Sequence, residues 1–144
     1  MIQLARSELA PRAKLDPGRF LARAIEDLPD DEKYDNVLCF NVLTNSPHYA
    51  QPLERLLSCA SKRILLRESM GDDLIVRYTP DPYLDKGKRH IRVYRNTYPL
   101  AEVEAFMEEH GFRATRIRDE RTGDGTEMVV DIPHQWRILL GERS

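Results

Sequence analysis

The sequence predicts an α/β domain built on a mostly parallel sheet, and three observations carry that prediction. "VLCF", Val37–Phe40, and "RILLR", Arg63–Arg67, are short apolar runs without alternation, the pattern of strands buried on both faces. Between them, "QPLERLLSCASK" repeats leucine at helical spacing, so strand, helix and strand follow one another with short joints, as in a right-handed crossover unit. A second helical stretch, "PLAEVEAFMEEHGF", then leads into further extended chain.

Each element can be justified in turn. Ile2, Ala5 and Leu9 share a helical face, which predicts a short amphipathic helix stopped by Pro11. Pro17 and Gly18 turn the chain, "RFLARA", Arg19–Ala24, reads as a strand, and "EDLPDDEK" is an acidic loop leading to Val37–Phe40. The next helix begins near Gln51: Leu53, Leu56, Leu57 and Ala60 form its apolar face, and Pro52 suits a first turn. Arg63–Arg67 is the second covered strand. In the later helix Leu100, Val103, Phe106 and Met107 lie on one face, with Pro99 near its start. Gly111 and Phe112 end it as a left-handed cap with its hydrophobic contact. "RATRIRDERT" and "WRILLGER" read as strands, with "GDGTE" as a turn between them and residues 127–132 extended, so the C-terminal end of the sheet is antiparallel. An insertion at about 69–98 separates the second covered strand from the later helix. That is far beyond a tight joint of about two to six residues, and insertions of such length are often functional.

Composition narrows the function. A chain of 144 residues is one domain's worth and can bury about 70% of its unfolded surface. Its 41% hydrophobic and 32% charged residues, with a net charge of -2, give no general pull toward nucleic acid or anionic membrane. The N-terminus lacks the apolar run of a signal peptide, and no segment reaches the about 20 apolar residues of a membrane span. Cys39 and Cys59 fit a buried, reduced pair, which points to the cytoplasm. His48, His90, His110 and His134 are scattered, without metal-ligand spacing, so no metal site is expected. Ser69 lacks the glycine-flanked elbow of a hydrolase nucleophile. Gly123 and Gly125 form only a turn, not a phosphate loop.

In an open parallel sheet ligands sit beyond the carboxyl ends of the strands. Those ends are Ala24, Ile25 and Glu26, then Asn41, Val42 and Leu43, then Glu68 and Ser69. Asn41 either holds a polar ligand or satisfies loop backbone. Glu68 either orients substrate and takes a proton, or is a solvated partner of Arg67 or Arg63. The insertion carries Lys86, Lys88, Arg89, Arg92 and Arg95 with His90 and Tyr94, and Tyr78, Tyr83 and Tyr98 are near. A charged outer face of a hairpin is favoured over a nucleic-acid surface there, and a substrate lid is the middle reading.

Taken together, "RAIEDLPDDEKYDNVLCFNVLTN", "PLERLLSCASK", "RILLRES" and "NTYPLAEVEAFMEEHGF" resemble the later part of a class I S-adenosylmethionine-dependent methyltransferase. In that family an acidic loop with Leu-Pro, here Glu26–Pro29, leads into the fourth strand, which ends in a phrase like Asn41–Asn45. The resemblance implies a partial Rossmann-like fold, S-adenosylmethionine as cofactor, and methyl transfer to a small molecule. It places Met1 at the helix after the second strand, so the glycine-rich cofactor loop is expected to be missing from this truncated chain, with weak cofactor affinity and little activity in the chain alone. At the third strand's end the family's Asp is matched by Ala24. Ile25 is then left to pack on the adenine, Glu26 or Asp27 to substitute for the Asp, and Asn41 and Val42 to form the inner wall of the cofactor pocket. Glu68 or His90 is the candidate base.

The family's sheet order, 3-2-1-4-5-7-6, carries a further implication. Without strands one and two, Val37–Phe40 becomes an apolar edge. Either "RFLARA" moves to pair with it, or two chains associate there as a homodimer. The rival function is a non-catalytic interaction module that binds through the basic, tyrosine-bearing insertion.

Overall fold

The structure, a computed structural model, describes residues 3, 5–14, 16–19, 21–81, 83, 84, 87 and 90–144. A π turn, Ala5–Leu9, runs into a short α-helix, α1, Ala10–Ala13. Pro11 does not stop it. It occupies the first turn, where its missing N–H has no intrahelical partner to lose, and the helix ends at Lys14 in the left-handed region. Ile2 of the predicted face lies outside the described residues.

Two single turns of 3₁₀ helix, Pro17–Arg19 and Ile25–Asp27, precede the first strand, β1, Tyr34–Phe40. After another 3₁₀ turn, Leu43–Asn45, come α2, Ala50–Cys59, and the long strand β2, Ala60–Gly71. The insertion folds as a hairpin of β3, Tyr78–Pro80, and β4, Arg92–Tyr94, and returns through β5, Tyr98–Pro99. Helix α3, Leu100–Glu109, leads to β6, Phe112–Ile117, and a second hairpin, β7, Thr126–Val129, with β8, Ile132–Arg143, completes the chain.

The main sheet has the order β1-β2-β8-β6, with β5 paired to β2 and β7 to β8. β1 and β2 pair in parallel, and β8 is antiparallel to β2, β6 and β7. All strands of this sheet therefore run one way except β8, so the sheet is mostly parallel in direction. The expected antiparallel C-terminal end is present, and β2 extends the predicted Arg63–Arg67 at both ends.

One face of the sheet carries the core. Ile64 and Leu66 of β2, Leu139 of β8 and Phe112 of β6 pack with Leu53 and Leu57 of α2 and Val103 and Met107 of α3. Gly111, at φ +80°, makes the left-handed exit from α3 that delivers Phe112 to this core. Arg143 locks the corner, its guanidinium donating to the Leu57 and Ala60 carbonyls at the end of α2 at 3.1 and 2.8 Å.

Two expectations are corrected. β1 is not buried on both faces: Val37 and Cys39 turn toward the core, while Leu38 is 66% and Phe40 50% exposed. Both long helices share the same core, so neither covers the side to which Leu38 and Phe40 point. "RFLARA" also forms no strand. Residues 21–24 are exposed and irregular, Phe20 lies outside the described residues, and among those described β1 pairs only with β2. The reason is geometric, because Ile25 and Leu28 pack against the helical core, which ties this segment to the covered side and away from the edge of β1.

The tightest point of the core is Gly141 on β8, where an added Cβ would stand 2.5 Å from Met107 Cε and 2.8 Å from the stiff Ile64 Cγ2. Gly141→Ala is expected to cost about 1–3 kcal/mol through overpacking, read as a lower urea midpoint. An unchanged or raised midpoint contradicts this packing.

Candidate functional site

The site is assembled at the carboxyl ends of β1 and β2. Asn41 continues the ladder, its N–H donating to the Arg67 carbonyl at 2.8 Å, and then turns the chain sharply at φ +54°. Asparagine enters this left-handed region more readily than most side chains. The side-chain amide of Asn45 donates to the Asn41 carbonyl at 2.7 Å and fastens the turn.

Glu68 receives the loop that this turn creates. Its carboxylate is 1% exposed and accepts the N–H groups of Val42 and Thr44 at 2.9 and 2.8 Å. It also accepts the Thr44 hydroxyl at 2.8 Å and the Cys39 thiol at 3.5 Å. Burial pushes the Glu68 carboxyl above its ordinary pKa, with those backbone and hydroxyl donors pulling the other way. The Thr44 hydroxyl in turn accepts the Ser69 N–H at 2.9 Å. Neither predicted ion pair forms: Arg67 pairs with Asp119 at 2.7 Å, and Arg63 with Glu142 at 3.2 Å.

The same network reaches the insertion. Buried Asn96 donates its N–H to the Thr44 carbonyl at 2.8 Å and its side-chain amide to the Ser46 carbonyl at 2.9 Å. Its side-chain oxygen accepts the Arg77 N–H at 2.9 Å. Tyr98 donates its hydroxyl to the Ser46 carbonyl at 2.7 Å, and the hydroxyls of Ser69 and Thr97 meet at 2.9 Å. The loop after β1 and the root of the hairpin are thus one hydrogen-bonded unit.

Between them lies a cleft of about 380 Å³. Asn41, Thr44 and Asn45 line it on the strand side, and Tyr78, Arg92, Tyr94 and Arg95 on the hairpin side. His134 and Trp136 of β8 complete its wall, their rings stacked at 4.9 Å between centroids. The Arg67 guanidinium lies 4.9 Å from the centre of the Trp136 ring. Burial first, then the charges of Arg95 and Arg77, lower the His134 pKa to about 4, which keeps the imidazole neutral at neutral pH.

The predicted residues fall in different places. Asn41 lines the cleft, while Val42 is exposed beside it and gives its N–H to Glu68. Ala24 and Glu26 are exposed, and Ile25 packs against the core. Glu26 lines a separate cleft of about 410 Å³ with Asp30 and Arg55. His90 is exposed at the turn of the β3–β4 hairpin and is not part of the cleft wall. Lys86, Lys88 and Arg89 lie outside the described residues, and the hairpin itself is the one expected. Arg95 belongs to the basic insertion that the sequence marks, whereas no motif in the sequence marks Thr44, Asn96, His134 and Trp136 as site residues. The period-two spacing of His134 and Trp136 on a strand was the available signal. Among the described residues no group of side chains is placed to hold a metal ion, and no helix is long and apolar enough to cross a membrane.

No protein-family model and no curated protein sequence matches the chain. Solved structures do. The magnesium protoporphyrin IX methyltransferase of Synechocystis PCC 6803, with bound SAM, superposes at a TM-score of 0.58 and 22% identity, over 99% of this chain and 52% of its own. The DhpI complex with SAH gives 0.58 at 14% identity, over 94% and 59%. The 1,6-didemethyltoxoflavin-N1-methyltransferase of Burkholderia thailandensis, with 1,6-didemethyltoxoflavin and S-adenosylhomocysteine bound, gives 0.55 at 14%, over 96% and 57%. The chain spans between about half and three fifths of the length of these structures, and identities this low speak to fold alone. With the order β1-β2-β8-β6 and the single reversed strand β8, these superpositions show that the chain has the class I S-adenosylmethionine-dependent methyltransferase fold.

Proposed function

We propose that the chain serves methyl transfer from S-adenosylmethionine to a small-molecule acceptor in its full-length or assembled form. The observation that carries this reading is the position of the cleft, at the carboxyl ends of the parallel strands and under an insertion that supplies aromatic walls. In methyl transfer the protein mainly aligns the acceptor with the sulfonium carbon and excludes water, so a dedicated base is optional.

On this reading Asn41 and Val42 form the strand-side wall of the cofactor site, and Ile25 with its neighbours Ala24 and Glu26 flanks it. Glu68 acts by fixing the loop rather than by touching substrate, because its carboxylate is buried and engaged by the loop's own donors. His90 stands on the exposed hairpin turn and serves, at most, the mouth of the cleft. The free, buried thiols of Cys39 and Cys59 suit a reducing compartment, which supports a cytoplasmic site of action.

The assembled form uses the open edge of β1. Among the described residues β1 pairs only with β2, and this edge and the exposed Leu38 and Phe40 favour association of two copies through this strand. Multi-angle light scattering is expected to show dimers that Leu38→Lys dissociates. A monomer at about 100 μM, a concentration at which even weak association near 5–6 kcal/mol is populated, contradicts the dimer.

Cofactor binding is tested by amide NMR with S-adenosylhomocysteine at about 1 mM, enough to populate a site worth roughly 4 kcal/mol. Shifts are expected at Ile25 and across residues 40–46. Their absence there removes the methyl-transfer reading of this chain and leaves a binding module.

A further inference from the structure

Among the described residues the cleft carries positive charge in excess. Arg92 and Arg95 stand in its wall, and of the described acids only Asp81 does. Arg95 is only 6% exposed, and its guanidinium reaches no more than the Val129 carbonyl, at 3.1 Å. Among the described residues, no ion pair includes Arg77, Arg92 or Arg95. Arg77 Nη1 is buried without a hydrogen-bond partner, and the charges of both Arg77 and Arg95 act on His134.

Two further groups in the wall are unsatisfied. His134 and Trp136 are 2% and 4% exposed, and His134 Nδ1 and Trp136 Nε1 have no hydrogen-bond partner. Buried polar atoms are rarely left alone, and a buried cation without an anion is costlier still. Of these groups Arg95, His134 and Trp136 line the same cleft. The remaining walls are flat: Tyr78 and Tyr94 lie 4.6 Å apart between ring centres, and the Arg92 guanidinium lies 5.1 Å from the centre of the Tyr78 ring. At about 380 Å³ the cleft is at the lower end of the range for ligand sites, about 300–1,000 Å³.

We infer that this cleft binds a planar aromatic molecule of one or two rings bearing a carboxylate. Arg95 and Arg92 take the carboxylate, the tyrosines face the ring, and His134 and Trp136 meet its polar substituent. Calling that molecule the methyl acceptor rests on the function proposed above. The anion site itself does not.

Trp136 is the only tryptophan in the chain, so its emission reports directly on the cleft. The test is a fluorescence titration of the unaltered chain with 4-hydroxybenzoate and with its neutral counterpart 4-hydroxybenzamide. The acid is expected to bind saturably and about tenfold or more tighter than the amide, because a charge-assisted contact is lost in the amide. Arg95→Gln is expected to bring the acid down to the level of the amide while amide binding stays within about twofold. Equal affinity of acid and amide for the unaltered chain overturns the inference whether or not the variant folds. So does the absence of saturable change with either probe up to about 10 mM. Acid binding without the cofactor shifts leaves the anion site standing and removes its role as an acceptor site. Cofactor shifts without acid binding do the reverse.

Discussion

One buried carboxylate organises the site end of this molecule. Glu68 sits on β2 beside the end of β1, where a loop would otherwise present loose N–H groups to an apolar interior. By accepting the donors of Val42 and Thr44 it converts that loop into a fixed wall. Hydrogen bonds to a charged group contribute about 1.5–3 kcal/mol each, which offsets part of the desolvation of the acid, whose pKa stays raised. Those bonds are directional, so they also fix where Asn41 and Asn45 stand. Asn96 then carries the same order into the insertion through the Thr44 and Ser46 carbonyls, so the cleft has two walls set by one network.

The sheet explains why the cleft lies where it does. β1 and β2 run in parallel and end together, and the reversed β8 brings His134 and Trp136 to that same end from the opposite direction. A purely parallel arrangement would have placed the start of β8 elsewhere. The close approach of α3 to β8 at Gly141 belongs to this geometry, because Met107 and Ile64 both occupy the space that a side chain there would need.

Much of this was legible in the residues, and the failures have physical causes. The helices at Leu53–Leu57 and Val103–Met107 declared themselves by apolar spacing, and the strands β2, β6 and β8 by their runs and flanking turns. The apolar run of β1 was misread as doubly covered, because composition records that a strand is hydrophobic but not whether a helix lies over it. Leu38 and Phe40 are exposed for that reason. Residues 21–24 of "RFLARA" form no strand because Ile25 and Leu28 anchor the chain that follows them to the core. Asn41 was identified as a strand-end amide, yet its left-handed turn is a backbone property that only coordinates reveal. For Glu68 the sequence offers either a candidate base or a solvated partner of arginines, since its partners are backbone N–H groups that no side-chain pattern announces. The cleft-lining Arg95, His134 and Trp136 come from segments far apart in the chain and meet only after the antiparallel return of β8.

Glu68 holds the loop after β1 in place. Amide hydrogen exchange in Glu68→Gln tests it most directly, because glutamine keeps the shape but replaces one acceptor oxygen with a donor. Val42 or Thr44 is expected to exchange about tenfold faster or more, the equivalent of roughly 1.4 kcal/mol of local stability, while the amides of β6 and β8 keep their protection. Unchanged protection at both Val42 and Thr44 in the folded variant would contradict it.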